Sequence, residues 1–576
     1  MSKSFWKAES TIPIIQTSKS VTALNGLSFS GGQEVRIKVP PTTKFFQPRE
    51  CYLNADIKLS GGTTPTKLQL DPELGGQILI KDIRIYTSAE KGTVLLEEIQ
   101  GYNSMVSVMR DFDTNQSERN KRALTEGATI WVPDTRGTQG TTQSNAADIL
   151  TNPYFHADTL TAGNKQTAFT DADFNTAKLC LALETGLFRS DRIYANLLTG
   201  LEIVITLEQA GRCVTQLDSV MRNRRLALNP VFLSRNGSTA GAGADIANTD
   251  TIAEIFLASD NSQTAPVNCP FCVGESVEIV AADNSTVLTT DKPLVISTIV
   301  SNASGTKITF DPADAVSNDA TTFSANAGAY VVSSAVSSDA AYKPTYTLSN
   351  VELVVQEVDM GAGYESDMLN QMKEKGVIVQ DILSCQNYRY SQQSGEVAAN
   401  IRLPMNNARA KSIICQPTDA TVYTDSQRVS ATGTYDIVSD TSEDKTLNEA
   451  CAGLRGISDY VSNFQFLYDS RLQPSRPVRC SKTSSKTSID AQPLIEMTKA
   501  LVQADISARS LAAFNSNWCC SRALALNSGV YNTKNSDFNL QVNFEGQAPT
   551  KNKLWNNFNF HLRRILISQS GVTVEY

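Results

Sequence analysis

Two distant stretches of this chain follow one plan, and that repetition constrains the fold more than any single motif does. Residues 77–109 read as an apolar strand, a polar turn at 88–92, a second strand through Val94, Leu95 and Leu96, and then a short helix. Apolar side chains fall at Ile78 and Ile80 and then at Ile83 and Ile85. The alternation therefore changes face near Lys81 and Asp82, which marks either a bulge or a turn of helix leading into the strand. Beyond Gly101 the spacing becomes Tyr102, Met105, Val106 and Met109, one face of a helix. Residues 456–476 repeat the plan with a short lead-in, an alternating aromatic strand and a polar turn, and a helical pattern follows over 493–501.

Other segments extend the repetition. Residues 32–40, GQEVRIKVP, alternate strictly and stop at proline, as do residues 395–404, GEVAANIRLP. Residues 411–416 stand where 52–59 stood, 464–468 where 83–87 stood, and 538–545 echo 201–208. The C-terminal strands at 562–568 and 572–576 echo 346–356. The echoes are of pattern rather than residue identity. Only the first half carries extra material between its last two strands. There a Gly-, Ala-, Ser- and Thr-rich connector from residue 236 leads into short strands near 275–280, 294–300, 307–310 and 329–332. A helix over 364–375, stopped by Gly376, joins the halves.

These readings predict an all-β chain of two tandem eight-stranded sandwiches. The expected division is an N-terminal arm at 1–24 and a first sandwich at 25–235 plus 346–362. A β insertion follows at 236–345, then a linker helix at 363–376 and a second sandwich at 377–576. A length of 576 residues exceeds one ordinary core. A net charge of −8 is mild for that length and argues against wrapping nucleic acid by bulk electrostatics. The first residues contain no apolar run of signal-peptide length, and no stretch approaches the roughly 20 apolar residues of a membrane span. Synthesis in the cytosol without a signal peptide is the expectation. Eleven cysteines, an odd number scattered mostly through apolar runs, fit buried reduced thiols better than a disulfide framework.

The search for chemistry is unproductive, and that result is itself informative. His156 and His561 are the only histidines and stand far apart, so a Ser-His-Asp or Cys-His site is not expected; rim positions suit them better. Cys269 and Cys272 form a lone CxxC without the second pair a zinc ribbon needs, and Cys519-Cys520 is distant. Glu97-Glu98 and Asp171 with Asp173 read as charges on turns and strand ends. The glycine-rich residues 240–244 lack the lysine and the strand–helix frame of a phosphate cradle. The basic run 221–225 and the pair Arg563-Arg564 read as solvated or interface arginines. No catalytic residue, cofactor-binding residue or metal ligand is predicted, and the chain is expected not to be an enzyme.

The order of features resembles the double jelly-roll major capsid proteins of icosahedral double-stranded DNA viruses, in particular those of polinton-like viruses and virophages. The resemblance rests on residues 75–85, on Glu97-Glu98 with Gly101-Tyr102-Asn103, and on 200–207. In the second half it rests on 464–466 with 473–477, and on the terminal 571–576. It spans most of the chain apart from the arm and the insertion. It implies two jelly rolls side by side, with three copies forming a pseudo-hexagonal homotrimer that tiles an icosahedral virion shell. The implied partners are neighbouring capsomers, penton and minor capsid proteins, with no small-molecule substrate and no sequence-specific nucleic-acid binding. The insertion would form an outward tower. The alternative of a different class is a soluble all-β ligand- or glycan-binding protein.

Overall fold

The computed structural model describes most of residues 15–216 and 345–575 together with short strands between 225 and 333. Outside the described residues lie 1–14, 114–121, 128–159, 167–176, 217–224, 259–275, 281–293, 334–344, 421–453, 481–490, 508–516, 576 and several shorter loop stretches.

Eight strands build the first sandwich: β1 (Ile15–Thr22), β2 (Glu34–Val39), β3 (Tyr52–Ser60), β4 (Ile80–Thr87), β5 (Leu95–Gln100), β6 (Ala177–Ala182), β7 (Leu201–Leu207) and β8 (Thr345–Asp359). One sheet runs β1-β8-β3-β6 and the other β2-β7-β4-β5. Eight more build the second: β9 (Ile378–Gln392), β10 (Ala398–Leu403), β11 (Ala410–Asp419), β12 (Asn463–Tyr468), β13 (Arg471–Arg479), β14 (Cys520–Ala523), β15 (Phe538–Asn543) and β16 (Lys553–Ser568). Their sheets run β9-β16-β11-β14 and β10-β15-β12-β13. Adding eight to every strand number of the first roll gives the second. Short strands such as Ser28–Ser30, Phe45–Phe46 and Gly571–Glu575 extend these sheets, and two antiparallel sheets whose main strands are connected in this order are a jelly roll. The chain is a double jelly roll.

The repeat follows from alternation. In β2 the residues Val35, Ile37 and Val39 point inward while Arg36 and Lys38 face water. Ile37 sits opposite Ile203, which in turn sits opposite Ile85, so a ladder of β-branched side chains crosses three strands. The second roll repeats the ladder with Ile401, Leu540 and Phe466. The face change seen in the sequence has both proposed causes. Residues Gly75–Leu79 form a turn of 3-10 helix feeding β4, and the β4–β7 register slips between Thr206 and Leu207.

Helix α1 (Tyr102–Asp113) follows β5, and a matching helix, α3 (Ala491–Gln503), follows β13. Between the rolls, α2 (Ala362–Lys375) ends at Gly376, whose φ of 78° is the left-handed cap that glycine adopts without strain. Residues 15–22, assigned by sequence to the arm, form β1 along β8 in register Ile15 to Asp359. Their side chains are almost all exposed, so no apolar alternation marked them as a strand. Between β7 and β8 a separate nine-stranded sheet begins already at Arg225–Leu228 and includes Thr251–Ala258, Leu294–Asn302 and Gly305–Phe310. Leu294 and Phe310 are buried but do not belong to the core that both rolls share.

Candidate functional site at the seam between the rolls

The two rolls share one continuous apolar core. The chemistry concentrated where they meet is polar, and it starts from α1. Ser104, Ser107 and Asp111 recur at three- and four-residue spacing, so they line one helix face, and all three are buried. That face meets the second roll. Ser107 Oγ lies 2.9 Å from the Leu454 carbonyl. Asn517 donates to Asp111 at 2.8 Å and accepts from the Gly456 amide at 2.8 Å and from Gln416 at 2.7 Å. Arg455 pairs with Asp111 at 3.6 Å. Asn517 and Gln416 are fully buried, so each bond here satisfies a group that has lost its water.

A second polar contact forms at β5. Glu97 is almost completely buried and accepts from the Gly186 amide at 2.8 Å, the Leu187 amide at 3.1 Å and the Ser384 hydroxyl at 2.8 Å. Burial pushes its carboxyl above the usual range, opposed by those three donors and by Arg563. This corrects the sequence reading of Glu97 as a charge at a strand end. β5 runs on past Leu96 through Gln100, because the donors compensate a carboxylate that alternation alone would place in water. Nearby, Asn387 of β9 donates to the Gln100 carbonyl at 3.0 Å and Arg389 approaches Asp82 at 3.7 Å.

Close approach of backbones completes the seam. A Cβ on Gly186 would run into the Leu383 carbonyl oxygen across the seam, and one on Gly456 would run into that of Trp518 within the second roll, beside Asn517. Glycine alone fits both places.

The other sequence candidates are dispersed. His561 lies in the middle of β16 and is 2% exposed, not at a rim; the long alternating strand carries it inward. Burial lowers its pKa to about 4, with Arg563 adding to the effect. Arg563 is buried with its charge acting on Glu97 of the first roll, and Arg564 makes two bonds to Asp381 at 2.8 and 3.2 Å. Cys519 and Cys520 are buried and free. His156, Cys269, Cys272, Asp171, Asp173, the glycines at 240–244 and residues 221–224 lie outside the described residues. Among the described residues, no group of three or more His, Cys, Asp or Glu side chains is arranged to hold a metal ion. No helix among them is long and apolar enough to cross a membrane.

A cleft of about 700 Å³ opens on the second roll, lined by Gln386, Tyr388, Asn407, Arg409, Lys534 and Glu575 among others. Its Arg409 already faces Asp381 at 3.5 Å and Glu575 at 3.6 Å. The wall offers side-chain amides and paired charges.

No family model and no curated protein matches this chain. Among solved structures it is similar to the Faustovirus major capsid protein, at 9% identity and a TM-score of 0.48, covering 98% of this chain and 92% of that one. It is also similar to the structure of the Sputnik virophage, at 8% identity and a TM-score of 0.45, covering 100% and 91%. The mavirus major capsid protein is similar at 7% identity and a TM-score of 0.40, covering 100% and 95%.

Proposed function

We propose that the chain is a structural subunit of an icosahedral virion shell, a major capsid protein rather than an enzyme. The observation that carries this reading is the pair of jelly rolls with identical strand order, locked together by the seam. Two equivalent rolls in one rigid body give a building block whose threefold association has six similar lobes, an outline that tiles a plane. In this reading three copies form the homotrimeric capsomer, and the capsomer contacts neighbouring capsomers, penton and minor proteins. The described polar chemistry serves to fix the angle between the rolls.

The domain division belongs to the same proposal. The first roll takes in β1 from Ile15, rather than starting at residue 25, and closes with 345–362; the inserted sheet starts at Arg225 rather than residue 236, 363–376 is the linker and 377–576 the second roll. The inserted sheet stands outward as a tower, a placement supported by its position between β7 and β8 and by its separate buried residues.

Sizing of the purified chain by light scattering tests the proposal. A homotrimer that assembles into particles under electron microscopy is expected. A monomer that binds glycans and never assembles would overturn it in favour of a ligand-binding protein.

A further inference from the structure

Four cysteines gather in the second roll. Cys415 on β11 and Cys520 on β14 are direct cross-strand partners in the antiparallel register and are both fully buried. Directly opposed residues of an antiparallel pair have Cα atoms about 4.5 or 5.5 Å apart, depending on the pair type. Both values fall within the roughly 4.4–6.8 Å that a disulfide spans. Two side chains opposed in one rung also project to the same face, which a bond between their sulfurs requires. Cys519 precedes Cys520, and Cys480 sits just beyond β13, half-buried, its amide held by the Ser462 carbonyl at 2.8 Å.

We propose that Cys415 and Cys520 form a latent disulfide of the second roll, closed by exchange with a small-molecule disulfide when β14, at the edge of its sheet, opens locally. Burial pushes the Cys415, Cys519 and Cys520 thiols well above their usual range, which leaves almost no thiolate and keeps them unreactive while the roll is closed. β14 is only four residues long and stands at the edge of its sheet, so its local opening exposes Cys520 and lets it ionise.

The exchange balances in two steps. The exposed Cys520 thiolate attacks one sulfur of the small disulfide, forming a mixed disulfide and releasing one small thiolate, which takes up the proton Cys520 lost. Cys415, opposite it in the register, then loses its proton and attacks the Cys520 sulfur, expelling the second small thiolate, which takes up that proton. Two protein thiols are oxidised and one small disulfide is reduced to two thiols. The bond would staple β11 to β14 in an oxidising medium and open again in a reducing one. It does not depend on the assembly proposed above.

The test uses the full chain incubated with oxidised glutathione, quenched by alkylation and digested without reductant. Mass spectrometry is expected to find a Cys415–Cys520 linked peptide lighter by two hydrogens (about 2 Da). The thermal midpoint should rise on oxidation and return on reduction. Cys415→Ala should stop at a Cys520–glutathione mixed disulfide, while Cys480→Ala should form the same link as the parent. Full oxidation with no Cys415–Cys520 link would overturn the proposal, as would a Cys480–Cys520 bond as the end product.

Discussion

Ser384, on the first strand of the second roll, donates its hydroxyl to the Glu97 carboxylate of the first roll at 2.8 Å, and both residues are buried. The same carboxylate holds the amides of Gly186 and Leu187. Glu97→Ala therefore strands three donors away from water, and a loss of roughly 3 kcal/mol is expected. Glu97→Gln keeps one acceptor oxygen and should lose about half as much. Urea unfolding of both variants beside the parent measures this. Equal midpoints for Glu97→Ala and the parent would show that the carboxylate does not hold the seam.

At Gly456 the restriction is steric. An added Cβ would run into the Trp518 carbonyl oxygen, and neither atom belongs to a flexible side chain. Gly456→Ala must displace backbone beside Asn517, and with it the bonds from Asn517 to Asp111 and Gln416. A loss of about 3 kcal/mol or more is expected from overpacking together with those bonds. Limited proteolysis should cut the variant between the rolls faster than the parent. An unchanged cleavage rate would remove Gly456 from the account of the seam.

Much of this fold is legible in the sequence because strand alternation is local. Ile37, Ile85 and Ile203 declare an inward face in their own segments, and the second roll declares the same face at Ile401, Phe466 and Leu540. The repeated order of those segments then fixes the architecture. The seam is not legible in this way. Glu97 is buried only because Gly186, Leu187 and Ser384, far away along the chain, present donors to it. One signal was available: α1 carries Ser104, Ser107 and Asp111 on one face without the lysines and glutamates of a solvated helix. A small, mostly uncharged polar face beside an apolar one marks a helix buried against polar partners. β1 was missed for the opposite reason, since its side chains face water and only its backbone pairing makes it a strand.

His561 supplies the pH dependence. Burial lowers its folded pKa to about 4 from the usual 6.5, so the unfolded chain binds the proton more tightly between those values. Stability present above pH 6.5 is then lost as pH falls toward 4, by roughly 3 kcal/mol if the site stays closed. His561→Gln should lose less over the same interval. Denaturation midpoints for both proteins at pH 7 and pH 4.5 decide it. Parallel pH profiles would mean that His561 does not carry the acid sensitivity.

Residues 77–109 offer the most direct test of the sandwich itself. Ile83 is 1% exposed, sits between Ile205 on β7 and Ile99 on β5, and has no polar group opposite it. Ile83→Val removes one methylene and should cost about 1 kcal/mol. Ile83→Asp places a carboxylate where nothing can pair with it, and it must either ionise in the core or stay protonated at neutral pH. Adding the lost packing, the expected cost is roughly 5 kcal/mol or more, comparable to the whole stability of an ordinary domain. Ile83→Val should therefore purify like the parent, while Ile83→Asp should give no soluble protein. Soluble Ile83→Asp protein at parental yield would show that β4 does not face the interior of the first roll.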